Sequence, residues 1–534
     1  MKNFVRTMCA LLIAFTSATA QPQQTEATTG TFTQAVRTIM DRPEFKHVSF
    51  GLEIYSLNQE RVLFALNGDK YFTPGSTTKL LTMGTALHYL GPDFRFHTSV
   101  YRTGPVRHGV LDGNLVLVAS GDPNLSDRLQ SDGSLAFANE DHSYGGHDSR
   151  LIPGNPAIVL QEFADQIRKA GIRDVQGHVI IDVNLFPEGT RELGTGMVIS
   201  PICVNDNAID VTVTTGSAPG SPATVAYSLQ VPYIHFVNNI KAGAAGSQTV
   251  PVDSDTTTNP DGTETVTLTG SIPPDQSPYI YGYAISSPSR FAQALFTEAL
   301  TNDGIRIRNK NIGAADQKSS YTPDNRVAEH ISAPYSEEAK VTLKVSQNLH
   351  ASMTPYILGA LVGKATKDVA TKGFSLEHDF FTQGNLSTIG ASQGDGAGGA
   401  LSAYFTPDFM VHYLAFMSQQ PNFFVFKKGL PILGRDGTLF NVETNSPAAG
   451  KVFAKTGTFG AWDELNRRLM ISGKGLAGYT TTVSGEPVAF AFYMNHLELQ
   501  DEKADPAVVA GAALGAIASA MHDLPIDHPS LSQP

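Results

Sequence analysis

Hydrophobic and polar positions predict one architecture for the two ends of the chain. Apolar residues at helical spacing mark residues 31–40, and alternating patterns over 47–57 and 61–66 predict a β-hairpin after that helix. Further strand patterns lie near the other end of the chain, at 451–457, 475–483 and 487–495. An apolar helix follows them, starting after Asp505. Together these elements predict one antiparallel sheet with helices packed on it, built from both ends of the chain.

The middle of the chain has a different pattern. From residue 96 to 319 it contains mainly short strand-like runs, such as 109–120 and 177–186, separated by Gly, Pro, Asn and Asp turns. The prediction is therefore an α+β fold. Residues 30–95 and 320–525 form a discontinuous sheet-and-helix domain, which a β-rich insert of one or two subdomains (96–319) interrupts.

The segment FTPGSTTKLLTMGTALHYLG (72–91) predicts a helix with two reactive side chains at its start. A Pro-Gly turn precedes it, and apolar residues then recur at helical spacing. Ser76 and Lys79 are three residues apart, so they share one face of the first turn. An isolated pair of this kind indicates a serine N-cap and a solvated lysine. The other interpretation is a nucleophile with its base, and it needs support from elsewhere in the chain.

Composition and charge exclude several classes of protein. The chain has 534 residues and a formal net charge of -12, so no nucleic-acid partner is expected. Residues 1–20 contain two basic residues, a short apolar run and a small-residue end, which predicts a cleaved signal peptide and a periplasmic or secreted protein. The apolar run is too short to cross a bilayer, and no membrane span is expected. Oligomeric state is left open.

Two further strings support the reactive pair. Ser346–Asn348 lies in KVSQNLH, and Lys455–Gly457 lies in FAKTGTFG, where Thr458 follows. In this order, SxxK, an SDN-type element and KTG are the motifs of penicillin-binding proteins and serine β-lactamases. Each string alone is weak evidence. Because all three occur in this order, with SxxK opening a helix and KTG on a strand, they indicate a serine acyl-transfer enzyme.

The residue types suit nucleophilic attack on a carbonyl carbon. The Ser76 hydroxyl needs a neighbour to take its proton, and Lys79 can do so only while its amine is neutral. The positive end of the helix and the ammonium of Lys455 are both expected to lower the pKa of Lys79. The backbone N–H groups of Ser76 and Thr458 are the expected oxyanion hole.

The remaining motif residues suit proton relay and substrate binding. Ser346 is expected to pass a proton between the lysine base and the leaving amine. Asn348 can orient a substrate amide, while Lys455 and Thr456 can hold a C-terminal carboxylate. Gly457 is expected to keep the strand clear of side chains, so that substrate can pair with it.

From about Phe32 to His522 the chain resembles the class C low-molecular-mass penicillin-binding proteins. Besides the three motifs, the resemblance rests on SGDPNL (120–125), VNDNAI (204–209), LPILGRDGTL (430–439) and LAGY (476–479). The 270 residues between the two motif serines are far more than a compact β-lactamase has. The resemblance implies a β-lactamase/transpeptidase-like domain and a serine D-Ala-D-Ala carboxypeptidase, which also allows DD-endopeptidase activity. Its implied partners are peptidoglycan stem peptides and β-lactam antibiotics.

Departures from the family pattern keep two alternatives open. Ser352 stands where the family has an acid, and the loop at 395–402 has extra small residues. One alternative is a serine β-lactamase, which the long insert and the lack of an obvious deacylating glutamate disfavour. The other is a non-catalytic wall-binding protein with a degenerate site. The segment 462–475, which holds the sole tryptophan, is either a short helical flap at the rim of the site or a surface excursion.

No motif indicates a cofactor or a metal ion. The glycines of GALVGKAT (359–366) are too close together for a phosphate loop, and residues 253–264 lack the glycine of a calcium loop. The histidines form no HExxH string. Asp122 in SGDPNL is interpreted as a turn residue in preference to a contact for a substrate amine.

Overall fold

A computed structural model describes residues 30–309, 321–501 and 504–524. The predicted signal peptide, residues 1–20, lies outside these ranges. The α-helices within them are α1 (Gly30–Met40), α2 (Lys79–Tyr89), α3 (Ile158–Lys169), α4 (Pro288–Asn302), α5 (Tyr335–Lys344), α6 (Asn348–Ile357), α7 (Val369–Gln383), α8 (Pro407–Ser418), α9 (Phe423–Gly429) and α10 (Pro506–His522). In this part of the chain no helix has both the length and the apolar character needed to cross a membrane.

The strands fall into a central sheet and several smaller ones. They are β1 (Ser49–Ser56), β2 (Arg61–Leu66), β3 (His97–Arg102), β4 (Val106–Arg107), β5 (Val110–Leu111), β6 (Leu115–Val118), β7 (Asp174–Val175), β8 (Val179–Asp182), β9 (Ala208–Thr214), β10 (Thr224–Tyr227), β11 (Ile234–Asn238), β12 (Lys241–Ala242), β13 (Val250–Thr258), β14 (Glu264–Ile272), β15 (Tyr279–Ala284), β16 (Arg306–Ile307), β17 (Arg326–Ile331), β18 (Ala391–Ser392), β19 (Tyr404–Phe405), β20 (Phe453–Asp463), β21 (Arg468–Thr481), β22 (Pro487–Asn495) and β23 (Leu497–Glu498). Both ends of the chain contribute to the central sheet.

The central sheet is antiparallel, with the strand order β2-β1-β22-β21-β20. Alternate residues of each strand face opposite layers. Leu52 and Phe490, for example, pack with α1 and α10, whereas Ala477 and Ala491 pack with α2 and α8. The predicted α+β class, an antiparallel sheet covered by helices, is confirmed. The edge strand β20 carries the KTG motif, which places that motif at the open side of the sheet.

Helix α2 differs from its predicted form in two respects. The α-helix begins at Lys79, and Ser76 lies in the 3-10 turn that precedes it, Gly75–Thr78. Every residue from Lys79 to Leu87 is buried, although the spacing predicted a single buried face. The reason is that helices surround α2: α5, α6 and α7 pack against it, and the Tyr413 hydroxyl of α8 donates a 2.7 Å hydrogen bond to the Leu80 carbonyl. A helix enclosed in this way holds its first turn rigidly.

The intervening region is rich in short strands and has its own core. One sheet has the order β17-β3-β6-β8, and another has β10-β9-β15. Helices α3 and α4 pack together through Phe163 and Phe296, whose ring centroids are 6.1 Å apart. The sequence did not predict α3. Strand β17 follows the predicted return point at residue 320, yet it pairs with β3, so the sheet of the insert includes a strand from beyond that point.

Candidate active site

Ser76 and Lys79 meet at the junction of the 3-10 turn and α2. Lys79 Nζ lies 2.7 Å from Ser76 Oγ, 2.7 Å from Asn348 Oδ1 and 3.1 Å from the Ala397 carbonyl oxygen. A neutral amine has two hydrogens and one lone pair, and the amide and carbonyl oxygens can only accept. The two hydrogens therefore go to Asn348 and Ala397, which directs the lone pair toward the Ser76 hydroxyl. This is the arrangement that a lysine base requires.

Burial is the main cause of the altered basicity of Lys79. Its side chain is wholly inaccessible to solvent, and burial lowers its pKa to about 7, against the attraction of Asp395 and Glu192. The sequence predicted Lys455 and the helix end as the causes of the lowered pKa. In the structure desolvation is the larger effect, and the repulsion between the two lysines acts on Lys455, whose pKa lies well below its ordinary value through burial and then through Lys79.

Ser346 belongs to a short connection between α5 and α6 and is held from two sides. Lys455 Nζ donates a 2.8 Å hydrogen bond to Ser346 Oγ, and the Tyr144 hydroxyl donates to the Ser346 carbonyl oxygen. The backbone of Ser346 is left-handed, with φ of 63°. Such a conformation is unfavourable for serine and persists only where neighbours enforce it. The site therefore uses the insert, through Tyr144, to fix the second motif.

The lysine of KTG lies behind the surface of the cleft. Lys455 is fully buried, and its Nζ also donates a 2.9 Å hydrogen bond to the Thr456 carbonyl oxygen. The groups of this region that reach the cleft are three threonines, Thr438, Thr456 and Thr458. The hydroxyl oxygens of Thr438 and Thr456 are 2.7 Å apart. A ligand carboxylate at this wall would meet hydroxyl groups, with the amine of Lys455 behind them.

Gly457 and Gly75 let the edge strand approach the turn that carries Ser76. A Cβ on Gly457 would lie 2.0 Å from the Pro74 carbonyl oxygen, which no side chain tolerates. Gly75 has φ of 49°, and a Cβ there would lie 2.6 Å from the Thr458 amide nitrogen. Gly457 is thus needed for the close approach to the Pro74 turn, and its role in clearing the strand for substrate stays a prediction. The Thr458 amide nitrogen therefore lies close to Gly75, and both Ser76 and Thr458 line the cleft.

Asn348 lies at the first position of α6 and contacts the base directly. Its Oδ1 accepts the hydrogen bond from Lys79 and lies 3.3 Å from the Tyr144 hydroxyl. The Nδ2 group is left as the donor that Asn348 can offer to a ligand carbonyl. Gly194 of the insert packs against this amide, since a Cβ on it would lie 2.1 Å from Asn348 Nδ2.

These residues surround a cleft of about 480 Å³. Its lining side chains and backbone come from Ser76, Tyr144, Leu193, Gly194, Ser346, Asn348, Ala397, Gly398, Gly399, Thr438, Thr456, Thr458, Phe459 and Gly460. The structure thus brings together all three motifs. None of the described residues that line the cleft carries a carboxylate.

Two carboxylates lie near Lys79, but loops hold both of them. Asp395 accepts hydrogen bonds from the amides of Gly398 at 2.7 Å and Gly399 at 2.9 Å. Glu192 accepts from the Gly194 amide at 2.7 Å. Each acid therefore stabilises a loop of the cleft wall, and neither presents a free oxygen pair to a water molecule above Ser76.

A buried charge network supports the Ser346–Asn348 segment from the insert. Asp206 accepts hydrogen bonds from Arg128 at 2.9 Å, His142 at 2.9 Å, Gln347 at 3.0 Å and His350 at 2.8 Å. Arg128 also donates to Asp141 at 2.6 Å. Within the described ranges Asp141, His142 and Asp206 have the geometry of a metal cluster, but the Arg128 guanidinium already occupies the two aspartates. The cluster therefore consists of ion pairs.

The segment after the KTG strand is a β-hairpin. Strands β20 and β21 stay paired past the site as far as Asp463, opposite Arg468, with a shift of register between Phe459 and Gly460. Strand β23 pairs with the outer part of β21. The helical-flap alternative is therefore wrong: the backbone satisfies its hydrogen bonds across the strands. Trp462 is 58 % exposed and Leu465 is 90 % exposed, so the hairpin does not pack these side chains on its own domain.

Several residues of the site had no signal in the sequence. Tyr144 and Leu193 lie in the insert, far along the chain from any motif, and only tertiary contacts bring them to the cleft. Thr438 lies in the string LPILGRDGTL, which carries part of the family resemblance but predicted no role for this residue. Asp122 is buried and accepts the Asn124 amide at 3.0 Å, a turn contact, and it does not line the cleft.

Comparisons with known proteins show the family of the chain. Residues 32–514 match the family described as D-Ala-D-Ala carboxypeptidase 3 (S13). A D-alanyl-D-alanine carboxypeptidase from Actinomadura sp. (strain R39) is 26% identical over 509 residues, covering 91% of this chain and 85% of its own. D-alanyl-D-alanine carboxypeptidase DacB from Haemophilus influenzae is 22% identical, covering 85% of this chain and 86% of its own. The crystal structure of penicillin binding protein 4 (dacB) from Haemophilus influenzae has a TM-score of 0.69 at 21% identity, covering 90% of this chain and 98% of its own.

Proposed function

Because the chain belongs to the D-Ala-D-Ala carboxypeptidase 3 (S13) family and is a serine-type carboxypeptidase, we propose that Ser76 is its nucleophile. The observation that supports this is the position of Lys79, whose amine lies 2.7 Å from Ser76 Oγ while two pure acceptors take its hydrogens. A buried amine with a pKa of about 7 is partly neutral near neutral pH. Lys79 can then accept the Ser76 proton during attack.

The proposed reaction has two stages. Ser76 Oγ attacks the carbonyl carbon between two D-alanines, Lys79 takes the hydroxyl proton, and the amides of Ser76 and Thr458 stabilise the oxyanion. The proton then passes to the leaving nitrogen through Ser346, the C–N bond breaks, and D-alanine departs with its carboxylate released from the threonine wall. Water next attacks the acyl ester, which returns free Ser76 and the shortened peptide.

Two alternatives from the sequence fit the geometry less well. A degenerate, non-catalytic site is disfavoured, because each motif lysine is hydrogen-bonded to a motif serine. Lys79 bonds to Ser76, and Lys455 bonds to Ser346. A β-lactamase needs an efficient base for the deacylating water. The carboxylates nearest Lys79, Asp395 and Glu192, are bound to loop amides. A slowly hydrolysed penicillin adduct is therefore the expected behaviour.

Labelled penicillin tests the proposal. The protein is incubated with the label, digested, and the modified peptide identified by mass spectrometry, while D-alanine release is measured from a peptide ending in D-Ala-D-Ala. We expect a stable adduct on Ser76 and release of D-alanine, both lost in Ser76→Ala. Rapid turnover of penicillin would support a β-lactamase, and absence of both labelling and release would support the non-catalytic alternative.

Peptidoglycan stem peptides are the proposed substrates and β-lactams the proposed inhibitors. A structure of the Haemophilus influenzae penicillin binding protein 4 is complexed with a β-lactam, and its fold is that of this chain, with a TM-score of 0.67. We further propose that the protein works in the periplasm or is secreted, on the basis of the sequence of residues 1–20. N-terminal sequencing of the protein from the cell envelope tests this: processing after Ala20 is expected, and an intact Met1 would contradict it.

A further inference from the structure

Another cavity of the protein shares helix α2 with the cleft but none of the residues that line the cleft. It has a volume of about 270 Å³ and lies between α2, α7, α8 and the segment 388–393. We call this cavity the α7 pocket. The proposed release of D-alanine uses none of its lining residues, so the peptidase reaction does not explain it.

The α7 pocket has apolar walls and one acidic side chain. Leu81, Phe374, Phe381 and Phe409 supply the large apolar groups. Glu377 also lines the pocket, although this residue is only 8 % exposed. Small-molecule sites in proteins are typically apolar cavities with a few polar groups at fixed places. The α7 pocket has this form.

The Glu377 carboxyl group has no basic partner among the described residues. Thr85 Oγ1 donates a hydrogen bond to it at 3.3 Å, and Gln393 bonds to the same group. Burial raises the pKa of Glu377 to about 8 against these two hydrogen bonds. The other titratable residue of the pocket is His378, which is exposed. Because a buried carboxylate needs a cation as its partner, the pocket is complementary to a ligand with an ammonium group.

Gln393 connects the α7 pocket to a loop of the cleft wall. Its Nε2 donates a 3.1 Å hydrogen bond to the Asp395 carbonyl oxygen and lies 3.4 Å from Thr82 Oγ1. Thr82 Oγ1 donates a 2.8 Å hydrogen bond to the Gly396 carbonyl oxygen. The side chain that bonds to Glu377 therefore also holds the start of this loop.

The same loop holds the proposed base. The Ala397 carbonyl oxygen, next to Gly396, accepts the 3.1 Å hydrogen bond from Lys79 Nζ. The loop is closely packed, since a Cβ on Gly396 would lie 2.2 Å from the Ala351 carbonyl oxygen. Close-packed atoms transmit strain, so a displacement at the start of the loop reaches Ala397. Such a displacement changes the direction in which the lysine amine presents its lone pair.

We propose that the α7 pocket binds a small organic ammonium ion with an apolar body, and that its occupancy slows the acylation of Ser76. The ammonium group pairs with Glu377, and the apolar body packs among the phenylalanine rings. The ligand thereby takes the carboxylate from Gln393, whose hold on the loop changes. Lys79 is then less well oriented for proton transfer. The effect on acylation rests on the proposed function, whereas binding at Glu377 does not.

Two probes of similar shape, 2-phenylethylamine and 2-phenylethanol, test the binding. They are titrated calorimetrically into the full-length protein, both free and with Ser76 already acylated by penicillin, which closes the cleft to them. We expect one molecule of the amine to bind to either form, at least about tenfold more tightly than the alcohol, because only the amine pairs with the acid. Equal affinity for amine and alcohol would overturn the proposal, and so would amine binding that acylation abolishes.

Glu377→Gln and Asp379→Asn are a matched pair of variants on α7. Both remove a carboxylate, but Asp379 is exposed and lies outside the pocket. Glu377→Gln is expected to abolish the preference for the amine, and Asp379→Asn should keep it within twofold. Ala391→Leu narrows the pocket while keeping the acid, and it should weaken amine binding about tenfold. A preference for the amine that survives in Glu377→Gln would overturn the assignment of the acid.

The rate of penicillin labelling tests the effect on acylation. It is measured at several penicillin concentrations, with and without saturating 2-phenylethylamine. The amine is expected to lower the wild-type rate several-fold, by the same factor at every penicillin concentration, and to have no effect on Glu377→Gln. An unchanged wild-type rate, or an inhibition that excess penicillin removes, would overturn the coupling. If Ser76 is never labelled, the proposed function is wrong, and calorimetry on the free protein still decides whether Glu377 binds the amine.

Discussion

Lys455 Nζ donates a hydrogen bond to Ser346 Oγ across 2.8 Å, which joins the KTG strand to the second motif serine. Lys455 is fully buried, so its amine acts on a ligand only through Ser346 and the threonine hydroxyls in front of it. With the Lys79–Ser76 contact, the site has two lysine–serine pairs. The pairs have different expected roles, since one faces the nucleophile and the other faces the leaving group.

Replacing Lys79 should abolish acylation. In Lys79→Met the side chain keeps its volume but has no amine, so nothing accepts the Ser76 proton. A loss of about a hundredfold to ten-thousandfold in the rate of penicillin labelling is expected, the range for loss of a general base. Circular dichroism checks that the variant is folded. Labelling near the wild-type rate would remove Lys79 from the mechanism.

Acylation should depend on pH through the same amine. Burial lowers the pKa of Lys79 to about 7, and only the neutral form can take a proton. The labelling rate should therefore fall about tenfold per pH unit below this pKa and level off above it. Pseudo-first-order rates with labelled penicillin, measured from pH 5 to pH 9, provide the profile. A rate that is flat through neutral pH would show that the Lys79 amine is not titrating in this step.

Thr438 should contribute to carboxylate binding, although no motif includes it. Its hydroxyl lies 2.7 Å from that of Thr456, and both face the cleft. Hydrogen bonds to charged groups contribute about 1.5–3 kcal/mol, so Thr438→Val should raise KM for a peptide ending in D-Ala-D-Ala about tenfold or more. A peptide with a C-terminal amide is the matched control, and its KM should change little. An equal effect on both peptides would mean that Thr438 acts on packing alone.

His350 should make the stability of the protein depend on pH. Burial alone would lower its pKa, but Glu338 and Asp206, whose oxygens lie 3.2 and 2.8 Å from the ring nitrogens, raise it to about 10. Because the pKa of His350 is higher in the folded protein, its protonation stabilises the folded state fully below the unfolded pKa of about 6.5. This stabilisation is lost as the pH rises toward 10.

The measurement is the midpoint of urea unfolding for wild type and His350→Gln at several pH values. Their difference should be largest at the acid end of that interval and shrink toward pH 10. Because Lys79 and the other titrating groups are common to both proteins, the difference isolates the imidazolium. A constant difference across the interval would show that His350 has the same charge in both states.

The exposed tip of the β20–β21 hairpin should affect large substrates more than small ones. Phe459 and Gly460 line the cleft, and Trp462 follows them with 58 % of its surface exposed. Trp462→Ala should lower turnover of a cross-linked peptide several-fold and leave penicillin labelling within twofold, since only the large ligand reaches past Gly460. Val483→Ala, at a similarly exposed residue outside the cleft, is the control. Equal effects of Trp462→Ala on both ligands would show that the hairpin tip does not distinguish large ligands from small ones.

Local sequence patterns predicted the strands of the central sheet and the motif residues of the candidate site. Alternating patterns at 47–57 and 61–66 became β1 and β2, and Asp505 caps α10 by accepting the Ala507 amide at 2.7 Å. Such features depend on neighbours in the chain, so a local pattern is sufficient to predict them. The three motif strings likewise identified Ser76 as the candidate nucleophile, because residue type limits which side chains can attack a carbonyl.

Contacts between distant side chains could be seen only in the folded chain. Lys455 bonds to Ser346, Gly457 faces the Pro74 turn, and Tyr144 reaches the site from the insert, and each contact joins residues far apart in sequence. The segment around Trp462 has apolar residues that are compatible with a helix. It forms a hairpin instead, in which pairing between the two strands satisfies the hydrogen bonds of its backbone. The pKa of Lys79 was decided in the same way, because burial depends on every element packed around α2.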